Sequence, residues 1–550
     1  MACAVAMLAA AHVALGQEVP AVQQVWVDRQ FQTDAIGAPV NGWDEGVEIE
    51  FYHYAIPPSP NDWRRYIFTT GFVTEANGSK RFATFRYNAD YPELHPGEGL
   101  LQATAYWPTT MPAANANNRA AAIAVDALGN IYVAGESPDA GQSGADYVVV
   151  KYDKELNVGS GGVPTWTYRY DGPSHGDDRP VDLVLTPSGG AVVIVTGTSW
   201  NGVNNDIVTI ALDSATGQPC GAWPASTGES TGVRRYNGGG SDEAVELAGP
   251  QLACGDGGNC GLNCTLEVGV IGTSWGSGTN TLDMLTFKYG DQPLVPAQGV
   301  VVWSDRHVAG SGHNEYASGI VFTNLHLVSC GYGPPPENSF TGGGFSASSS
   351  GGSTSSLVEP NYDYLFVMYD HVTGAKLFED RVDFAAAPDV STDIQWTPGD
   401  GQSMRFYVTG RATNGSAFDV GTVRWTWTPG SGGNPATLTR DWVSSYGLVS
   451  GRDDRGNALA VDGTNAYATG STNAAGITTS DTLTIKHLPS PASPAYPPTW
   501  YILYAGGGDD LGRDIVTGNQ HLTKPSVYFT GRSFRSGQGN DYITIRLKQN

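Results

Sequence analysis

Basic residues are scarce in this chain: 30 Lys and Arg stand against 54 Asp and Glu in 550 residues, a formal net charge of −24. A surface of that sign repels nucleic acid and anionic membrane, and it favours cations or basic partners. Long apolar runs are also missing. Beyond the first residues no stretch of about twenty apolar residues occurs, so no helical membrane span is expected. No segment of useful length shows helical periodicity. The ten His are scattered without metal-ligand spacing, and only six Cys are present. What is abundant is Gly (72), Tyr (26) and Trp (14), the composition of many short strands joined by tight turns.

Those strands are organised by repetition. Eight openings recur: "WDEGVEI" at Trp43, "NNRAAAIAVD" at Asn117, "DDRPVDLVLT" at Asp177, "SDEAVELA" at Ser241, "NEYASGIVF" at Asn314, "PDVSTDIQW" at Pro388, "DDRGNALAVD" at Asp453 and "DDLGRDIVT" at Asp509. Aligned, they begin on Asp44, Asn118, Asp178, Asp242, Glu315, Asp389, Asp454 and Asp510, with a small residue or Pro180 two places on. The mean spacing of about 66 residues suits a four-stranded propeller blade with loops rather than a solenoid turn. A second strand closes on a glycine (Gly71, Gly135, Gly197, Gly272, Gly331, Gly410, Gly470, Gly531), where a missing Cβ permits a tight exit or a close backbone approach. A third strand begins at an aspartate in every unit but the first, which has Arg81, and an outer strand shows aromatic spacing, as in "WTYRY" at Trp166.

The eighth unit ends at Asn550 after its third strand, and a spare strand, "VQQVWVDRQFQT" over residues 22–33, precedes the first unit. Pairing the two would close the ring and remove an exposed sheet edge. The expected fold is all-β: an eight-bladed β-propeller of four-stranded antiparallel blades, the last blade closed by the N-terminal strand. A seven-bladed ring is the fallback, should the divergent first unit be something else. One domain spans residues 17–550. Within it, residues 333–360 form a Gly/Ser/Pro-rich insertion in blade five, expected to be a flexible loop.

The repeat resembles the bacterial β-propeller repeat family, whose units read roughly D-x-A-x-x-I-A-V-D-x-x-G-N-x-Y-V-x-G-x-S. The best match is "NRAAAIAVDALGNIYVAGES", Asn118 to Ser137. The resemblance covers nearly the whole chain after its first residues. It implies a propeller fold and a secreted or surface-associated protein, without implying a reaction.

The first sixteen residues, an apolar run ending in small residues before Gln17, look like a secretory signal without its basic start. They point to a secreted, periplasmic or cell-surface bacterial protein. In that setting Cys220, Cys254, Cys260 and Cys264 are disulfide candidates. Their loops emerge on one face of neighbouring blades, and three connectivities are open. Their spacing is poor for zinc, and no metal site is firmly expected. Cys330 sits alone in a strand.

Catalytic signatures dissolve into the repeat. "GTSWG" around Ser274 fits a nucleophile-elbow pattern, but that pattern needs a strand-to-helix turn, and "GTSW" recurs at Gly197. Four places after the opening residue come Glu48, Asp182, Glu246, Asp393 and Asp514, with Ala or Gly in the other units. Asp178, Asp182, Asp242, Glu246, Asp510 and Asp514 are therefore the candidate ligand or cation residues at the channel mouth, with Ca²⁺ the possible ion. The same residues could instead be blade fasteners.

The expected function is a binding or scaffold module for a protein or glycan ligand, acting as a monomer. The alternative is an extracellular hydrolase or lyase using acids at the central channel. A remoter alternative is a quinoprotein-like dehydrogenase. The segments "ALDSATGQPCGAW" from Ala211 and "YDHVTGAKLF" from Tyr369 resemble the docking element of that family, but no adjacent Cys pair accompanies them.

Overall fold

The computed structural model describes residues 22–30, 42–55, 63–93, 99–138, 144–186, 192–221, 223, 226, 228–254, 264–275, 281–292, 295–307, 314–323, 326–333, 362–384, 388–415, 417–448, 451–463, 465–473, 479–487, 498–518, 526–535 and 539–549. Eight blades of four antiparallel strands account for nearly all of these residues, seven of them built from consecutive strands and the eighth completed from the N-terminus, with two short 3₁₀ turns as the only helix among them. The inner strands start at the eight openings: Glu45–Ala55, Arg119–Val125, Asp178–Leu185, Asp242–Cys254, Tyr316–Phe322, Val390–Pro398, Asp454–Asp462 and Asp510–Gly518. Each touches the inner strand of the next blade, and the eighth touches the first. The fold is an eight-bladed propeller. No helix among the described residues is long and apolar enough to cross a membrane.

Closure follows the expected route. The strand Val22–Gln30 pairs antiparallel with Gly539–Gln549 as the outer strand of blade eight, and Gly42–Trp43 adds a short parallel pairing to the same strand. Trp26 of the closing strand stacks near Tyr87 of blade one and Tyr528 of blade eight. Eight apolar clusters fill the eight blade junctions. Alternating side chains on both faces of each blade therefore meet a neighbouring blade, and no blade buries its apolar faces alone.

The second strands do not end at their glycines. Strands such as Ile131–Pro138 and Val192–Trp200 run about three residues further. The physical reason for the glycine is the neighbouring strand. Every inner strand carries a bulge between the second and fourth residues after its opening position. The bulge brings the backbone oxygen one residue past the opening, as at Arg179, Arg455 and Leu511, to where a Cβ on Gly197, Gly470 or Gly531 would stand.

The first 21 residues, the cysteine-rich turn 255–263 and most of the insertion (334–361) lie outside the described residues, so the signal segment, Cys260 and the proposed loop do too. Cys254 and Cys264 face each other in the ladder of blade four. Cys220 is buried. Cys330 is a free, fully buried thiol.

Candidate functional site

The inner strands place two tiers of carboxylates around the axis. The deeper tier holds Glu48, Asp182, Glu246, Asp393 and Asp514, just past each bulge. At that level the bulged strand turns a backbone N–H, that of the fifth residue after the opening, away from its own sheet. Eight blades therefore present eight such donors, and the five carboxylates account for all of them.

Asp182 accepts from Leu183 of its own strand at 2.6 Å and from Leu247 of the next blade at 2.7 Å. Asp514 does the same with Ile515 and Ile49, and Asp393 with Ile394 and Leu459. Glu246 and Glu48 each serve only the next blade, through Ile320 and Ile123. An aspartate follows each blade that has Ala122, Gly319 or Ala458 at this position and must satisfy two donors. A glutamate follows two of the three aspartate blades, Glu246 after Asp182 and Glu48 after Asp514, whereas Ala458 follows Asp393. Buried backbone donors are almost always paired, and here side chains do the pairing across blade junctions.

Burial pushes these carboxyls up: Asp182 and Asp514 to about 6 and Asp393 to about 7. Glu48 and Glu246 rise well above the ordinary range, first by burial and then by repulsion from acids across the axis, Asp182 and Asp514 among them. Glu50, one turn of the pleat beyond Glu48, is held up to about 8 by burial and then by Asp514. The sequence pattern of the other blades gave no signal for Glu50, because no other unit has an acid there.

The upper tier is the opening residues, five of which (Asp178, Asp242, Asp389, Asp454 and Asp510) clasp the loop that enters their blade, whereas Asp44 accepts from the Thr74 N–H and Asn118 donates to the Lys80 carbonyl. Asp178 accepts from the Gly172 N–H at 2.6 Å, Asp242 from Gly238 at 2.6 Å, and Asp510 from Gly506. Asp242 also accepts from the Ser274 hydroxyl, which Arg306 reaches at 2.7 Å. Ser274 is fully buried between Asp242 and Arg306. It is thus a fastener; Ser199 in the same slot accepts from Arg235 at 2.9 Å.

The six residues singled out from the sequence therefore separate. Asp182, Glu246 and Asp514 share the axis with Glu48, Glu50 and Asp393. Asp178, Asp242 and Asp510 lie under the entry loops of blades three, four and eight, each with its own local partners. Blades three and four are neighbours, whereas blade eight stands across the ring from blade four.

The same face carries exposed aromatic rings. Trp200, Trp275 and Phe534 each follow the serine clasp at the end of a second strand and are 36%, 37% and 37% exposed; Trp43 is 46% exposed. The first three rest on Gly176, Gly240 and Gly508, two places before Asp178, Asp242 and Asp510, where any Cβ would meet the ring. Arg532 lies over the Trp43 ring at 4.7 Å. The signal for this set was in the sequence, as "GTSW", "GTSW" and "GRSF", but it was absorbed into the strand-end motif.

No protein-family model matches the chain, and no curated protein does. Among solved structures it is similar to the polysaccharide lyase Uly1, at 10% identity over 78% of this chain and 90% of that one, with a TM-score of 0.37. It is also similar to Sqt1 of Chaetomium thermophilum bound to the N-terminus of ribosomal protein L10, at 12% identity over 78% and 96%, TM-score 0.40. A subtype N11 neuraminidase-like protein from a flat-faced bat influenza isolate (H18N11) matches at 10% identity over 79% and 87%, TM-score 0.33. Likeness at this level assigns no substrate or reaction.

Proposed function

We propose that this chain is a secreted or cell-surface propeller of the bacterial repeat type that works as a binding module, taking a protein or glycan ligand on the face bearing Trp43, Trp200, Trp275 and Phe534. The supporting observation is a division of labour. The axial carboxylates are committed to backbone donors of the ring, while the aromatic rings stand in solvent on glycine seats. A ring held rigidly at one face, with an amphipathic edge, suits stacking on sugars or on peptide side chains. The acidic surroundings favour a ligand with basic or neutral polar groups.

The test is a glycan-array and peptide-library screen of the purified protein, followed by Trp200→Ala with Trp275→Ala. Binding should fall about tenfold or more, as for loss of interface anchors, with an unchanged melting point. Ligand capture that is indifferent to both substitutions would move the site elsewhere.

One observation favours the hydrolase or lyase reading instead. Glu50, protonated near neutral pH, sits electrostatically close to Asp514, and a raised acid beside an ionised one is what acid–base chemistry requires. Turnover of a polysaccharide that collapses by orders of magnitude in Glu50→Gln, with folding intact, would decide for it.

A further inference from the structure

Among the described residues, two blade junctions repeat one arrangement that the other junctions lack. At the junction of blades two and three, Asp146 begins the third strand of blade two, Asp171 directly follows its outer strand Trp166–Tyr170, and Asp178 opens blade three. At the junction of blades five and six, Asp363 begins the third strand, Asp383 directly follows the outer strand Lys376–Val382, and Asp389 opens the next blade. The three positions correspond one for one. In each set one carboxylate oxygen from each of the three residues lies within 4.8 Å of the other two. Oxygens that share one ion at about 2.4 Å stand no further apart than that.

Elsewhere the middle position is not acidic. Asn237, Gly447 and Ala505 occupy it after the outer strands of blades three, six and seven. At Gly447 a Cβ would run into the Asp419 carboxylate, which shows that a side chain from this position is aimed at the third-strand aspartate. Among the described residues no other junction assembles such a triplet.

Each set also contains a buried oxygen without a hydrogen-bond partner. Asp363 is 5% exposed and its Oδ1 is unpaired; Asp178 is fully buried with Oδ1 unpaired, as is the buried Oδ1 of Asp171. Buried carboxylate oxygens are not left this way without cost. The cations present offset only part of the charge. Arg169 donates to Asp146 at 2.6 Å, and His175 meets the other oxygen of Asp171 at 2.6 Å. At the second junction Arg381 is drawn to Glu315 at 2.9 Å.

We propose that these two junctions each hold a hard divalent cation of the calcium class, one on Asp146, Asp171 and Asp178 and the other on Asp363, Asp383 and Asp389. Three carboxylates from two adjacent blades supply part of the six to eight oxygens such an ion takes, and water or loop carbonyls supply the rest. The ion would tie blade to blade at the rim of the aromatic face. The inference is independent of which ligand that face binds.

The experiment is calcium titration of the purified full chain after treatment with chelator, read by calorimetry. The wild type should take up two ions, Asp171→Asn and Asp383→Asn one each, and the double variant none. Asp171 and Asp383 are the most exposed members of their sets, so both substitutions leave the clasps Asp178 and Asp389 in place. Terbium emission sensitised through Tyr170 and Tyr364 and displaced by calcium gives a second readout on the wild-type chain. No saturable uptake at millimolar calcium, no sensitised emission, or an undiminished stoichiometry in the double variant would each overturn the proposal. The last result would relocate the cation to the axial acids.

Discussion

Arg29 donates to Asp541 at 3.2 Å across 512 residues of chain, and it does so in a register that five blades share. Arg29 stands opposite Ile543, two residues past Asp541. Arg169, Arg235, Arg306 and Arg381 stand in the same relation to Asp146, Asp206, Asp283 and Asp363. Blade one inverts the pair: Arg81 takes the aspartate slot and lies over Tyr106 of its outer strand at 4.8 Å. The N-terminal strand is thus a true fourth strand, carrying the same side chain to the same partner.

Ring closure should accordingly be worth much of the stability. Arg29→Ala leaves the buried Asp541 short of a charged donor and should cost about 2–3 kcal/mol, read by denaturant unfolding. A chain starting at Gly42 should aggregate, since it exposes the edge of Gly539–Gln549. A truncated chain that stays monomeric with an unchanged melting point would show that the strand is dispensable.

The axial carboxylates make stability depend on pH with a defined sign. Their folded values, about 6 for Asp182 and Asp514, about 7 for Asp393 and about 8 for Glu50, lie above the ordinary range near 4. The folded state binds these protons more tightly than the unfolded chain, so their contribution is complete below about pH 4 and is lost progressively as pH rises from about 4 through the folded values of about 6 to 8. His307 adds in the same direction. Burial lowers it, but hydrogen bonds to Glu315 and Glu379 outweigh burial and hold it up to about 9. The melting point should be higher at pH 5 than at pH 8, and a flat or inverted profile across that span counts against the buried ring.

Substituting Asp393→Ala removes the acceptor for two backbone donors, those of Ile394 and Leu459. Glu246→Ala removes it for one, Ile320. At about 1–3 kcal/mol for each donor left unsatisfied, the aspartate variant should be the less stable of the two. Equal losses, measured by chemical unfolding of both variants, would mean that the donors find water instead.

Gly470→Ala should destabilise by about 1–3 kcal/mol through overpacking, because its Cβ would overlap the Arg455 carbonyl oxygen. Gly159→Ala, with nothing near its would-be Cβ, is the matched control and should be close to neutral. Comparable melting points for the two variants would remove the steric reason for the glycine.

Cys330 should label with a thiol reagent only after unfolding, because burial holds its thiol far above the ordinary range. Cys220, Cys254, Cys260 and Cys264 should resist labelling in both states until reduced. Mass spectrometry that finds those four as free thiols would sink the oxidised loop cluster.

The repeat was legible because its period and its alternation are local properties of the chain. Asp44, Asn118 and their six equivalents marked the inner strands, and the eighth unit, lacking an outer strand, pointed to residues 22–33. The extent of the second strands was misjudged, since glycine signals an exit as readily as a close approach. Only the bulge beside Gly197 or Gly470 distinguishes the two.

By itself, then, the sequence determined eight blades, their four-strand order and the closing strand, because side-chain periodicity and turn residues act over a few positions. Which acids meet was decided by tertiary structure alone. Asp182 reaches Leu247 because one bulged strand lies beside the next, while Asp178, four residues away, joins Asp146 and Asp171 of another blade. Carboxylate partners are set by distances across junctions between units some 60 residues apart in sequence, and no spacing along the chain encodes those distances.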